Sequence, residues 1–130
     1  YNRVEVLHPA DAGLAVANAL GHPELWGRGK TLLIGGGPHG CQLTYREYFD
    51  KLLTVMGIGM LPEAAWSQKE YVTDWLDTEE SQTILQYQRH TFDQIVTEVA
   101  AALGWRRFFV PLARPFVRRS ILKMSPYWKK

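Results

Sequence analysis

The chain has 130 residues, of which 46% are hydrophobic and 22% charged, and its formal net charge is +2. This length suits one compact domain, and the composition is typical of a soluble globular protein, which excludes disordered and fibrous classes. Every apolar stretch is shorter than the roughly 18 residues that a membrane-spanning helix needs, and the single cysteine, Cys41, permits neither an internal disulfide nor a zinc framework. We therefore expect a cytoplasmic protein.

The amino-terminal segment predicts a short strand followed by a helix. Alternating apolar residues indicate the strand at residues 4–8, and no signal-peptide pattern precedes it. Pro9 fits the first turn of a helix, and Asp11 favours the positive end of that helix. The helix is predicted to run to Leu20, with Gly21 as its stop.

A short apolar run is followed by a glycine-rich turn. Residues 31–34 have the pattern of a buried parallel strand, because glycines close the run. Gly35, Gly37 and Gly40 then satisfy the GxGxxG spacing of dinucleotide-binding turns. The next helix begins only after Thr44, so its amide dipoles would not point at a pyrophosphate. We interpret these glycines as a tight turn and expect no cofactor bound to them.

Three segments have the sequence of a capping box, in which a cap side chain and a Glu or Gln three residues later satisfy each other's backbone N–H groups. They predict helices that begin at Thr44, near Asp77 and at Thr91. Gly57 is expected to end the first of these helices, and Gly104 the last.

Side chains that could carry catalysis are sparse. No tyrosine is followed by a lysine four residues later, so the acid/base pair of short-chain dehydrogenases is missing from this chain. The four histidines lack the spacing of a metal motif, and we expect no metal site. Cys41 has no activating neighbour in the sequence and is interpreted as a small buried side chain.

Several segments follow one another in a recognisable order. They are Arg-Val-Glu-Val-Leu-His-Pro-Ala-Asp at residues 3–11, a helix to residue 20, a strand with a glycine turn at 31–37, Thr-Tyr-Arg-Glu at 44–47 with Leu-Leu at 52–53, and Trp-Leu-Asp-Thr at 75–78 continuing to 85–87. This order resembles the carboxyl-terminal part of the extended short-chain dehydrogenase/reductases, the NAD-dependent epimerase/dehydratase family.

The resemblance implies an α/β fold, namely the carboxyl-terminal fragment of a Rossmann-type epimerase/dehydratase, mostly helical with a few short strands. Residues 1–104 would form the substrate-side region. The catalytic residues and the NAD or NADP site would lie in an amino-terminal Rossmann half that is missing from this chain, so the chain would bind no cofactor and would not be catalytic in isolation. A nucleotide-sugar is the expected small-molecule partner.

The resemblance also implies substrate contacts for Arg3, His8, Trp75 and Asp77. Arg3 matches the family's basic residue only within one position. Each of the others has a local interpretation as well: Asp77 as a helix cap, Trp75 as packing, and His8 as a turn hydrogen bond.

The chain begins at Tyr1 rather than at a methionine, with a strand pattern immediately after it. We therefore expect it to begin within a longer protein, as either a cloned segment or a proteolytic remnant. A late strand and helix without their flanking sheet would leave apolar faces uncovered, so we also expect the isolated chain to self-associate.

The tail at residues 105–130 supports a second function. Residues 1–103 carry a net charge of −6, whereas residues 104–130 carry eight Lys or Arg and no acid. The tail predicts a short basic amphipathic helix, and the chain could be a non-enzymatic α/β module that docks on an anionic membrane surface or an acidic partner. Alternatively, the tail wraps the acidic lobe of its own molecule. Nucleic acid is not an expected partner, because no recognition motif is present.

Overall fold

The computed structural model describes residues 2–25, 27, 29–69, 71 and 73–128. This part of the chain forms a mostly helical small domain with a two-stranded antiparallel sheet. Its elements, in order, are β1 (Arg3–Glu5), α1 (Pro9–Leu20), β2 (Gln42–Thr44), α2 (Tyr45–Val55), α3 (Glu79–Leu85), α4 (Phe92–Leu103) and α5 (Val110–Met124). Short 3₁₀ turns lie at Pro23–Leu25, Glu63–Ala65 and Gly104–Phe108.

The sheet brings the amino-terminal segment against the middle of the chain. β1 pairs antiparallel with β2, and Val4 lies opposite Leu43. A further backbone bond from Val6 N to the Cys41 carbonyl, 3.0 Å long, extends the ladder. The predicted first strand is thus present, although shorter than expected. β2 was not predicted, since it lies between the predicted turn at residues 35–40 and the helix predicted to begin at Thr44.

The apolar run at residues 31–34 is not a strand, so that prediction is wrong. Thr31 and Leu33 are exposed, whereas Leu32 and Ile34 are half-buried and pack against a core cluster. The run therefore keeps the two-sided alternation of a strand. It has no strand beside it, because the one sheet in the described residues pairs β1 with β2 only.

Local capping signals place most of the helices. α1 spans the predicted residues, with His8 as its N-cap and Gly21 as its C-cap. Both bonds of the capping box are present at Thr44 before α2 and at Thr91 before α4. Gly104 ends α4 with a positive φ of 53°, a conformation that glycine adopts at no steric cost.

The capping box predicted near Asp77 is absent. α3 begins one residue later than that box requires, and its N-cap, Thr78, makes no side-chain cap bond. The Glu80 carboxylate, which would have reached back to the cap, pairs with Lys30 instead. Asp77 Oδ1 accepts a hydrogen bond from Glu79 N at 3.3 Å.

Two small clusters form the core. The first contains Ala15 of α1 with Leu85 and Tyr87, and the second contains Cys41, Leu43 and Phe92. The buried Tyr87 hydroxyl donates to the Gly35 carbonyl at 2.9 Å and accepts from Gly35 N at 3.0 Å. This pair of bonds fixes the glycine turn against the segment after α3, and so positions the site described next.

Candidate functional site

Two of the four predicted substrate residues contact each other. The Arg3 guanidinium lies over the Trp75 ring, 4.5 Å from its centroid, and also pairs with Asp74 at 2.7 Å. Trp75 Nε1 donates to the Leu43 carbonyl at 3.2 Å, which orients the indole across the sheet. Trp75 thus has the packing role that the sequence allowed, and part of its ring is still exposed.

Glu5 joins four segments, although the sequence does not mark it as a site residue. Its Oε1 accepts from Gly37 N at 2.8 Å, and its Oε2 accepts from Leu76 N at 2.7 Å and from Gln42 Nε2 at 3.5 Å. A Cβ at Gly35 would lie 2.3 Å from Glu5 Oε1. A side chain at position 35 would therefore displace this carboxylate from its hydrogen bonds.

The glycine turn is occupied by side chains of the same chain. A Cβ on Gly37 would meet the Gln88 amide at 2.3 Å, and Gly37 has a φ of 75°. Gln88 Nε2 in turn donates to the Gly35 carbonyl and to Thr78 Oγ1, both at 3.0 Å. A carboxylate already accepts the Gly37 N–H, and its negative charge disfavours a phosphate at this position. This geometry accords with the interpretation of the glycines as a structural turn.

A polar cleft of about 380 Å³ opens beside this turn. Its walls carry amide, hydroxyl and carboxylate groups, among them Gln42, Asp77, Thr78, Glu79, Gln82 and Gln88. Such groups donate and accept hydrogen bonds in the way that sugar hydroxyls require. No lysine or arginine is among the described residues that line it, so the cleft is suited to a neutral hydroxylated group rather than to a phosphate.

His8 lies in a different cluster, with Asp11 and His90. The His8 and His90 rings stack with centroids 4.1 Å apart. Asp11 is 1% exposed and accepts three hydrogen bonds, from His90 Nδ1 at 2.6 Å, His90 N at 2.9 Å and Arg89 N at 3.0 Å. Burial by itself raises the pKa of the Asp11 carboxyl, but these bonds from Arg89 and His90 outweigh burial and lower it below its usual value.

The spacing of this cluster would permit a metal ion, since ligand atoms of His8, Asp11 and His90 lie within 4.8 Å of one another. The hydrogen bonds that these three residues already make disfavour a metal ion. His8 Nδ1 accepts from Ala10 N at 3.1 Å, so the proton of the neutral ring is on Nε2, 2.9 Å from Glu98 Oε2. Both Asp11 oxygens are also engaged. The cluster is therefore accounted for as a polar junction between α1 and the start of α4.

The remaining predicted residues have local partners. His8 makes the turn hydrogen bond that the sequence allowed, and Asp77 bonds to the first turn of α3 while lining the cleft. Three of the predicted substrate residues lie in the sheet or on the segment that crosses it, namely Arg3, Trp75 and Asp77. His8 belongs instead to the cluster with Asp11 and His90. Cys41 is fully buried, and burial raises the pKa of its thiol, as expected of a structural cysteine.

Comparison with known proteins returned no match: no family model, no curated protein and no solved structure is similar to this chain. Within the part of the chain that the structure describes, no helix has the length and apolar composition needed to cross a bilayer.

Proposed function

We propose that this chain is the substrate-binding carboxyl-terminal part of an NAD(P)-dependent sugar-nucleotide epimerase or dehydratase, and that it is not catalytic in isolation. In this proposal, NAD or NADP is bound by an amino-terminal Rossmann half and oxidises a sugar carbon transiently. The present residues bind and orient the sugar. The proposal rests on the resemblance of the ordered segments, and the observation that supports it best is the polar cleft next to Asp77.

The chemistry of the cleft suits the sugar of such a substrate. Its amide and carboxylate groups can bind hydroxyls, and its volume of about 380 Å³ suits a small ligand. Arg3 is a basic residue close by, because it stacks on Trp75, two residues before Asp77. A diphosphate would bind Arg3 in exchange for its exposed ion pair with Asp74, which costs little because both side chains are solvated.

The uncovered run at residues 31–34 also supports the proposal. Leu33 is 47% exposed, while its neighbours Leu32 and Ile34 pack inward. One side of this segment packs on a core, and no strand among the described residues pairs with it. These are the features expected of a late strand in a larger sheet whose neighbouring strand is missing. The amino-terminal half would supply that neighbour.

A ligand titration tests the role of the cleft. We expect UDP-glucose, used as a nucleotide-sugar probe, to shift the amide resonances of residues around the cleft in the gene product that includes any upstream sequence. Asp77→Asn should weaken this binding by about tenfold, since hydrogen bonds to charged groups contribute about 1.5 kcal/mol or more. Asp50→Asn is the matched control, because Asp50 is an exposed carboxylate on α2, outside the cleft.

The gene sequence upstream of Tyr1 tests the family. We expect a glycine-rich strand-to-helix turn and a Tyr-x-x-x-Lys pair encoded there. An upstream region without a nucleotide-binding half, or equal UDP-glucose affinity in Asp77→Asn and the unaltered protein, would contradict the proposal.

A further inference from the structure

The basic tail is held against the body of the protein as a defined surface. Arg118 Nη1 donates to three successive carbonyls, those of Ile58, Gly59 and Met60, at 3.0, 2.9 and 2.8 Å. Ser125 Oγ donates to the Ala65 carbonyl at 2.5 Å. One side of α5 is thereby bonded to the loop after α2, and the opposite side faces solvent.

The solvent-facing side carries a row of large apolar side chains. Leu112 and Phe116 are one helical turn apart and are 78% and 77% exposed, and Met124 continues the row at 80%. Trp105 in the 3₁₀ turn before α5 and Phe109, the N-cap of α5, add two aromatic rings that contact edge to face with centroids 5.6 Å apart. We call these five residues the apolar row. So many large side chains exposed on one side of a soluble domain indicate an interaction surface.

Basic side chains converge beside the apolar row. They line a cleft of about 780 Å³, formed by Arg114, Arg118, Arg119 and Lys123 together with Leu122 and Trp128. None of the tail's described Lys or Arg residues forms an ion pair with an acid of the described chain. The alternative that the tail wraps the acidic lobe of its own molecule thus gains no ion pair among the described residues, and Arg119 and Lys123 are available to an external anion.

We infer that the outer side of α5 binds the surface of an anionic lipid bilayer, with the apolar row inserted among the acyl chains and the lipid phosphates bound by Arg119 and Lys123 of the basic cleft. Aromatic and aliphatic side chains flanked by Arg and Lys are the combination that an interfacial helix uses. A second copy of the same surface would bring like charges together, and an acidic protein surface would leave the apolar row without a partner. The acidic lobe, at −6, would be repelled from the bilayer and so orient the molecule.

Vesicle co-sedimentation tests this inference on the full chain. We expect binding to phosphatidylcholine vesicles that contain phosphatidylglycerol, little binding to phosphatidylcholine alone, and release in about 0.5 M salt. Arg119→Gln/Lys123→Gln should weaken binding by about 25-fold, since each basic residue near such a surface contributes about fivefold. Leu112→Ser/Phe116→Ser should weaken it by at least about tenfold.

Val16→Ser/Leu20→Ser is the matched control for the apolar variant. Both residues are exposed on α1, at 62% and 67%, and are not part of the tail surface. This variant should bind vesicles like the unaltered chain, and circular dichroism should show that all variants remain folded.

Three results would overturn the inference. They are equal binding to neutral and anionic vesicles, unchanged binding in both tail variants, and tighter binding to soluble polyglutamate than to vesicles, which would assign the surface to an acidic protein. Loss of self-association in Leu112→Ser/Phe116→Ser without any vesicle binding would instead assign it to a second copy of the chain. None of these results depends on nucleotide-sugar binding.

Discussion

At the scale of single residues, the site depends on buried or half-buried polar groups whose partners are distant in sequence. Glu5 bonds to backbone groups more than 30 residues away, and Asp11 to groups more than 75 residues away. The sequence places Asp11 in the first turn of α1 but does not indicate its partners Arg89 and His90. Nothing in the sequence around Glu5 marks it, because an acid at an alternate strand position is also typical of a solvated face.

Glu5→Gln should destabilise the fold by about 1–3 kcal/mol. The substitution replaces one carboxylate oxygen with an N–H donor, which cannot accept the bond now given by Gly37 or Leu76. Urea unfolding followed by circular dichroism measures the change. Asp50→Asn, which also removes one negative charge, should leave the free energy of unfolding within about 0.5 kcal/mol; a similar loss in both variants would mean that charge rather than the acceptor matters.

The Asp11 carboxyl should make stability depend on pH in acid. Its pKa in the folded chain is below the ordinary value of 3.8, so the unfolded chain binds its proton first as pH falls. The stabilisation is complete above about pH 5, and it declines through the ordinary pKa until it is lost below the folded pKa. The free energy of unfolding between about pH 2 and 6 should therefore fall more steeply in the unaltered chain than in Asp11→Asn. Parallel curves would contradict this role.

At the scale of elements, most helices and β1 were predictable, whereas β2 and the unpaired state of residues 31–34 were not, for one physical reason. The caps of α2 and α4 are satisfied within four residues, so the sequence contains the whole interaction. A strand needs a partner that the local sequence does not specify, which is why residues 31–34 resemble a strand without pairing, and why β2 was not predicted. The cleft was likewise not predictable, because residues 38–42 and 76–88, which are distant in sequence, form it.

Thr44→Ala and Thr91→Ala should each destabilise the chain by about 1 kcal/mol, the usual effect of losing an N-cap. Each threonine side chain accepts the N–H of the third helical residue, Glu47 or Gln94, and alanine leaves that donor without its partner. Thermal and urea unfolding measure the loss. The control is Thr54→Ala, an exposed position within α2, where alanine has the higher helix propensity and no loss is expected. Equal effects at all three positions would exclude capping as the cause.

At the scale of the whole molecule, two separate surfaces lack partners. One is the tail surface on α5, which is basic. The other lies on the run at residues 31–34, where Leu33 is exposed and no strand is paired among the described residues. In the proposed function the amino-terminal half covers the second surface, while the first faces the bilayer. Because the lobe is acidic and the tail is basic, only the tail is attracted to an anionic surface. In this proposal the tail therefore contacts the bilayer, and the second surface does not.

The isolated chain should self-associate through the second surface. Leu33 is 47% exposed on a segment that has no paired strand among the described residues, so two copies can cover each other's apolar side chains there. Light scattering should show the average mass rising with concentration, and Leu33→Ser should reduce this rise, whereas Leu112→Ser on the tail should not. A monomer at every concentration would contradict the prediction. If only Leu112→Ser reduced the rise in average mass, the contact would lie on the tail. Repulsion between like charges would then weaken self-association most at low salt.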